Sequence, residues 1–134
     1  MTTQEIEIDG KVLARLIPAS SWDEGLSFFS KDSEFVQVGA WRYNKGKQLL
    51  AHIHNQAERV ISHTQEVLYI CKGVIKVVIY NLTGKPVKEW IAKEGDTVIL
   101  LNGGHGYEIL EDNTRVLEVK NGPYLGAETD RTRL

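Results

Sequence analysis

The chain has 134 residues, of which 42% are hydrophobic and 25% are charged. This balance is typical of a globular protein; it excludes intrinsic disorder over most of the chain and predicts one domain over residues 1–134. With 16 basic and 18 acidic residues the net charge is −2, so the basic excess needed for sequence-independent nucleic-acid binding is missing. The only cysteine, Cys71, excludes an internal disulfide, and we expect its side chain to be a small buried hydrophobe.

The first ten residues contain no positive stretch followed by an apolar run, so they do not resemble a secretory signal. The longest apolar runs, such as residues 98–101, are far shorter than the roughly 20 residues of a membrane helix. We therefore expect a cytoplasmic protein with neither a membrane nor a nucleic acid as its partner.

Short β-branched runs separated by turn residues recur along the chain, and this spacing predicts a β-sandwich or barrel. Asp9-Gly10 is a strong hairpin signal between the first two runs. Helix is scarce; the best candidate is 21–29, which opens on a sequence resembling a capping box. Residues 121–134 form a tail that we expect to be ordered only if it packs on the barrel or on a partner subunit. The predicted strands are 5–8, 12–17, 35–43, 48–54, 66–72, 74–80, 87–92, 97–101, 105–110 and 115–120.

His52 and His54 stand two residues apart in the predicted strand 48–54. Side chains at i and i+2 share a face, with Cα atoms about 6.6–6.8 Å apart, so both imidazoles can reach one metal ion. Glu66 begins the next predicted strand, and antiparallel pairing of the two strands would place a carboxylate beside the imidazoles. The plainer interpretation is two exposed or hydrogen-bonded histidines. His105 begins a later strand, after a bend at two glycines.

These residues resemble the two motifs of the cupin family. Gly46, five residues and then His52 and His54 are similar to the opening of the first motif, and Glu66 to Gly73 is similar to its closing half. The segment 95–105 resembles the second motif. The resemblance implies an all-β fold, a cupin jelly-roll β-barrel.

The resemblance extends over about residues 35–120, preceded by N-terminal strands within 1–34 and followed by the tail 121–134. It implies a divalent transition metal held by three histidines and one glutamate, a role that falls here to His52, His54, Glu66 and His105. Imidazole and carboxylate ligands suit iron, manganese, nickel, zinc or copper better than calcium.

Eleven residues separate His54 from Glu66, which is more than cupins usually have at this point. Glu58 stands at the usual spacing and is a rival fourth ligand. We prefer Glu66, because its distance to Gly73 keeps the register of the motif. Without a metal, the histidines would bind substrate or act as a base.

Four further residues have candidate roles. Tyr107 shares a face with His105 and is a candidate to bond substrate or donate a proton, or else a barrel aromatic whose hydroxyl finds a partner. Gln48, on the histidine face, and Arg59, in the long loop, are candidate substrate-binding residues; a solvated loop charge is the plainer interpretation of Arg59. His63 is expected to lie on the surface or in a loop.

We expect a small-molecule enzyme, an isomerase or epimerase of a carbohydrate-type substrate, in which a metal polarises a carbonyl and Glu58 or Tyr107 moves the proton. The alternatives are an iron-dependent oxygenase, a non-catalytic small-ligand-binding cupin, and metal-free epimerase chemistry with His52 or His105 as base. Small cupins commonly pair through edge strands or swapped N-terminal strands, so the resemblance also implies a homodimer.

Overall fold

A computed structural model describes residues 2–134, and the ten strands in this range make the fold all-β. Helical structure in the same range is limited to a 3-10 turn at Ala19–Ser21 and a short helix, α1, at Ala127–Asp130. The strands are Gln4–Ile8 (β1), Lys11–Ile17 (β2), Gly25–Phe28 (β3), Gly39–Arg42 (β4), Glu66–Lys72 (β5), Val74–Tyr80 (β6), Pro86–Lys93 (β7), Thr97–Leu100 (β8), Gly104–Ile109 (β9) and Arg115–Lys120 (β10).

The strands form three antiparallel sheets, and none of these sheets closes on itself. The main sheet has the order β1-β2-β8-β5-β10, and a second sheet has the order β7-β6-β9. Strands β3 and β4 pair only with each other. No helix among residues 2–134 has the length and apolar composition needed to cross a membrane.

The predicted hairpin at Asp9-Gly10 is confirmed. Asp9 has φ of 52° and Gly10 has φ of 77°, and β1 and β2 pair on either side of them. Two central residues with positive φ make the type of turn whose twist matches that of antiparallel strands. The predicted strands 66–72, 74–80 and 115–120 are confirmed to the residue.

The main core lies between the two larger sheets. Alternate residues of β5 and β6 point into it, as the period of two along a strand requires. Complete burial of one large aliphatic side chain stabilises the fold by about 1.5–3 kcal/mol. The buried residues of this core are Leu13, Ala14, Leu16, Leu68, Ile70, Ile75, Val77, Ile79, Trp90, Ala92, Val98 and Leu100.

A second core lies on the other face of the main sheet, where the segment 18–38 covers Ile17 and Ile99. The predicted helix 21–29 is wrong, because this segment is extended. The short 3-10 turn ends at Ser21, the backbone is already extended at Trp22, and Gly25–Phe28 pair with β4. An extended segment covers more of a sheet face per residue than a helix does.

The predicted strand 48–54 is also wrong: residues 43–65 contain neither helix nor strand. A strand at 48–54 was expected to pair with β5, but β8 and β10 already occupy both edges of β5. Cys71 is exposed rather than buried. It alternates with the buried Ile70 and so lies on the outer face of β5, beyond the cover of 18–38.

Candidate functional site

Five polar side chains gather at one end of the space between the two larger sheets. Glu66 is the first residue of β5 and lies opposite Lys120, the last residue of β10. Glu118 shares the face of Lys120, since the two are two residues apart on β10. His105 and Tyr107 come from β9, in the second sheet. We refer to these five residues as the Glu66 cluster.

The Glu66 carboxylate is the centre of the cluster. His105 donates its Nε2–H to Oε2 of Glu66 over 2.8 Å, and the Tyr107 hydroxyl donates to the same oxygen over 3.4 Å. The Nζ atom of Lys120 lies 3.1 Å from Oε1 of Glu66 and 3.6 Å from Oε1 of Glu118. Three donors therefore converge on one carboxylate and join the two sheets.

Glu66 is ionised because of these donors. Its side chain is 8% exposed. The resulting desolvation favours the neutral acid, but the hydrogen bond of His105, the charge of that ring when it is protonated, and the hydrogen bond of Lys120 outweigh it and lower the pKa of Glu66 to about 2. An ionised carboxylate only accepts hydrogen bonds, so Nε2 of His105 carries a proton. When the ring is neutral, Nδ1 is the nitrogen that can accept a proton.

Tyr107 is held in its protonated form. Burial, followed by the negative charges of Glu66 and Glu118, raises the pKa of its hydroxyl above the ordinary value of 10.0. Its ring lies 5.3 Å from the His105 ring, tilted by 31°. The hydroxyl is therefore a hydrogen-bond donor beside the imidazole.

The local sequence explains why β9 presents these two side chains. His105 lies opposite Ile79 and Tyr107 opposite Val77. Because Ile79 and Val77 are buried in the core, their cross-strand partners also point between the sheets. Gly103, directly before the strand, has φ of +74°, and a Cβ at this position would clash with the carbonyl oxygen of Tyr80.

The four predicted metal ligands form two separate pairs. Glu66 and His105 are in contact, whereas His52 and His54 lie in the exposed segment 43–65, with ring centroids 5.0 Å apart. Within residues 2–134, no group of three or more histidine, cysteine, aspartate or glutamate side chains is placed to hold a metal ion. The separation follows from the missing strand, since only pairing with β5 would carry the two histidines to Glu66.

The other predicted residues divide in the same way. Tyr107 belongs to the Glu66 cluster, whereas Gln48, Glu58 and Arg59 are exposed in the segment 43–65 and lie outside it. His63 is exposed, as expected, and its Nε2 lies 2.9 Å from the carbonyl oxygen of Leu101.

Sequence reasoning missed Glu118 and Lys120. Both lie on a strand that was predicted correctly, and their spacing places them on one face. The missing information was the partner of that strand, because only the pairing of β10 with β5 places Lys120 beside Glu66.

Comparisons with known proteins do not add to this description. No protein-family model, no curated protein and no solved structure matches the chain. The functional argument therefore rests on the side chains of the Glu66 cluster.

Proposed function

We propose that this chain is a small-molecule enzyme, an isomerase or epimerase of a carbohydrate-type substrate, with His105 as its general base. The observation that carries the proposal is the 2.8 Å bond between the buried Glu66 carboxylate and His105. A carboxylate behind an imidazole orients the ring and stabilises the imidazolium that forms when the ring accepts a proton.

The proposed fold is a cupin jelly roll. Two antiparallel sheets that pack face to face support this assignment, as does a polar cluster between them. The order of the motif residues in the chain supports it as well, since Glu66 and His105 come from the first and the second motif and meet in space. The carbohydrate class of the substrate follows from the same resemblance.

The chemistry needs a positioned base, which accepts a proton, and a positioned hydroxyl, which donates one. Nδ1 of His105 removes a proton from the carbon next to a substrate carbonyl, and the electron pair of the broken C–H bond moves onto the carbonyl oxygen. The Tyr107 hydroxyl, protonated and adjacent, donates to that oxygen. Return of the proton from His105 to the neighbouring carbon gives the isomer, whereas a proton taken from solvent on the opposite face gives the epimer. In both cases a hydroxyl proton of the intermediate passes back to Tyr107, and in the second case His105 loses its proton to solvent. A positioned acid or base contributes roughly 10²–10⁴ to the rate.

The rest of the cluster suits a hydroxylated ligand. The Glu118 side chain is 46% exposed, so its carboxylate is free to accept hydrogen bonds from hydroxyl groups. Lys120 is shared between Glu66 and Glu118 and balances part of their charge.

Solvent exchange tests the proposal across a range of sugars. A panel of ketoses, aldoses and keto-deoxysugars is incubated in D₂O with the protein, and NMR measures deuterium uptake at carbons next to the carbonyl. We expect uptake into at least one member, with a loss of about 10²-fold or more in His105→Gln. His63→Gln, the same substitution at an exposed histidine outside the Glu66 cluster, is the matched control.

Exchange that persists unchanged in His105→Gln would overturn the role of His105. Binding of panel members without any exchange would support the non-catalytic ligand-binding alternative instead. Exchange that survives chelation supports the metal-free form of the mechanism, and exchange that chelation abolishes supports the metal-dependent form.

The metal-dependent form is proposed separately, on His52 and His54, whose rings are close enough to share an ion. Imidazole and carboxylate donors suit iron, manganese, nickel or zinc, in an isomerase or in an iron-dependent oxygenase. The donors do not form one site in the structure, so no step above uses a metal. About one equivalent of metal, lost in both His52→Ala and His105→Ala, would support a four-ligand site. Failure to take up metal on reconstitution would contradict it.

The proposal also includes a homodimer. The isolated strand pair of β3 and β4 leaves Leu26, Phe28 and Trp41 exposed, and apolar surface of this kind is typical of protein interfaces. Light scattering during size-exclusion chromatography distinguishes a dimer from a monomer. The cytoplasmic location stays a prediction.

A further inference from the structure

Glu118 is the less neutralised of the two carboxylates in the Glu66 cluster. Its Oε1 atom lies 3.6 Å from Nζ of Lys120, whereas the same ammonium lies 3.1 Å from Oε1 of Glu66. The Glu66 side chain is 8% exposed and also accepts a hydrogen bond from His105, while that of Glu118 is 46% exposed. Lys120 is therefore paired mainly with Glu66, and Glu118 presents a charged acceptor to solvent.

Glu118 also lies close to the groups that carry the proposed chemistry. After burial and the charge of Glu66, the charge of Glu118 is the next cause of the raised pKa of the Tyr107 hydroxyl. That hydroxyl lies 3.4 Å from the carboxylate oxygen that His105 also contacts. A ligand bound at Tyr107 and His105 therefore lies in the electric field of the Glu118 carboxylate.

The charges around Lys120 leave the site negative. The hydrogen bond to Glu66 raises the pKa of this lysine, and so do the charges of Glu66, Glu118 and Asp130. Within residues 2–134, no other lysine or arginine forms an ion pair with Glu66 or Glu118. Three carboxylates therefore act on one ammonium, and negative charge stays in excess even when the His105 ring is protonated. An anionic group of a ligand would meet like charge here, whereas a cationic group would supply the missing counter-charge.

We propose that Glu118 makes the site selective for amino sugars, whose ammonium group it binds, over neutral sugars and, more strongly, over phosphorylated sugars. The inference rests on the proposed function, because it names the substrate class of the same site. A hydrogen bond from an ammonium to a carboxylate is stronger than one from a neutral hydroxyl. Because Glu118 is half exposed, solvent screens part of this gain.

NMR titration with three sugars measures this selectivity without any turnover. Glucosamine, N-acetylglucosamine and glucose 6-phosphate share one kind of ring and carry a positive, a neutral and a negative substituent. Each is titrated at about pH 7 and at one ionic strength, and the imidazole resonance of His105, assigned by its loss in His105→Gln, reports binding at the cluster. We expect glucosamine to bind about threefold more tightly than N-acetylglucosamine and about tenfold more tightly than glucose 6-phosphate.

Glu118→Gln removes the charge of the side chain and keeps its size. In this variant the difference between glucosamine and N-acetylglucosamine should disappear, and glucose 6-phosphate should bind about threefold more tightly than it binds to wild type. Glu108→Gln is the matched control, because Glu108 is 59% exposed and also pairs with a lysine, Lys76, over 2.8 Å. Its position on β9 alternates with those of His105 and Tyr107, so its side chain points away from the cluster. It should keep the wild-type affinities.

Binding of glucose 6-phosphate to wild type as tightly as glucosamine would overturn the inference, and so would the absence of binding by all three sugars. A preference for glucosamine that persists unchanged in Glu118→Gln would overturn the role of Glu118. Far-UV circular dichroism verifies that the variants are folded. The proposed function fails separately, through the absence of deuterium exchange, and that result leaves the order of the affinities as it is. Exchange confined to phosphorylated sugars would support the function and contradict the selectivity.

Discussion

Nε2 of His105 lies 2.8 Å from Oε2 of Glu66, although the two residues are 39 positions apart in the chain and belong to different sheets. The bond forms only when β9 pairs with β6 in the observed register and β5 pairs with β8 and β10 in theirs. A shift of one residue in either pairing would turn His105 or Glu66 to the opposite face of its sheet. The proposed base is therefore oriented by the same strand pairing that builds the core.

The Glu66 carboxylate makes stability depend on acid pH. Its pKa falls from 4.5 in the unfolded chain to about 2 in the folded protein, so its contribution is present above pH 4.5 and is lost as the pH falls toward 2. We expect about 2 kcal/mol of this contribution to disappear between pH 7 and pH 3. Urea unfolding of wild type and Glu66→Gln at the two pH values measures it, because the glutamine cannot titrate.

The matched control for this experiment is Glu118→Gln, which removes a much more exposed carboxylate from the same cluster. Its pH dependence should stay closer to that of wild type, since solvent screens exposed pairs. Equal losses of stability in wild type and Glu66→Gln would contradict the prediction.

Tyr107 should not ionise where an ordinary tyrosine does. Burial and the charges of Glu66 and Glu118 raise its pKa, while the chain contains five tyrosines in all. In a spectroscopic titration at the tyrosinate band up to about pH 11, Tyr107→Phe should therefore lose no amplitude relative to wild type. Loss of one fifth of the amplitude in the variant would show that Tyr107 titrates normally. Retained folding at each pH is verified by circular dichroism.

Arg15 should be the most important charged residue for stability. Its guanidinium lies 2.6 Å and 2.7 Å from the two carboxylate oxygens of Glu34, whose side chain is 10% exposed, and it holds the segment 18–38 against the main sheet. Arg15→Met leaves that carboxylate buried without its partner, so we expect a loss of about 3–5 kcal/mol in the free energy of unfolding.

Urea unfolding measures this loss, and Arg15 offers an internal comparison. Glu5 also pairs with Arg15, over 2.7 Å, but its side chain is 39% exposed. Glu5→Gln should therefore cost about 1 kcal/mol or less. Similar costs for the two variants would show that burial of the Arg15–Glu34 pair does not determine its strength.

Alanine substitutions at Gly103 and Gly10 distinguish the cost of backbone strain from the cost of a steric clash. Both have a left-handed φ, of +74° and +77°, and alanine at either position is strained by about 1–2 kcal/mol. Gly10 has no atom near the added Cβ, whereas at Gly103 the carbonyl of Tyr80 blocks it. Gly103→Ala should therefore destabilise the protein by at least about 2 kcal/mol more than Gly10→Ala in urea unfolding. Equal losses of stability in the two variants would contradict the steric clash at Gly103.

Local pattern was enough to predict most strands. The runs 66–72 and 74–80 combine β-branched residues with a glycine between them, and Asp9-Gly10 marks a turn whose backbone few other residues adopt. The shared face of His105 and Tyr107 also followed from sequence, because side-chain alternation along a strand does not depend on its partner.

The pairing of strands that are far apart in the chain could not be predicted from local sequence pattern. The residues 48–54 alternate as a strand would, yet β5 has no free edge for them, because β8 and β10 occupy both. The predicted grouping of His52 and His54 with Glu66 depended on that edge. Lys120, in contrast, reaches Glu66 only because β10 pairs with that edge of β5.

The sequence by itself determined the all-β class, the β1–β2 hairpin and the faces on which Glu66, His105 and Tyr107 lie, since these depend on backbone preferences and alternation over a few residues. Only the tertiary structure decided which strands became neighbours, and with that the composition of the Glu66 cluster. The physical reason is that each strand can pair with several others, and the pairing that forms is the one that gives the whole chain the lowest free energy. The residues within one strand do not show which of these pairings that is.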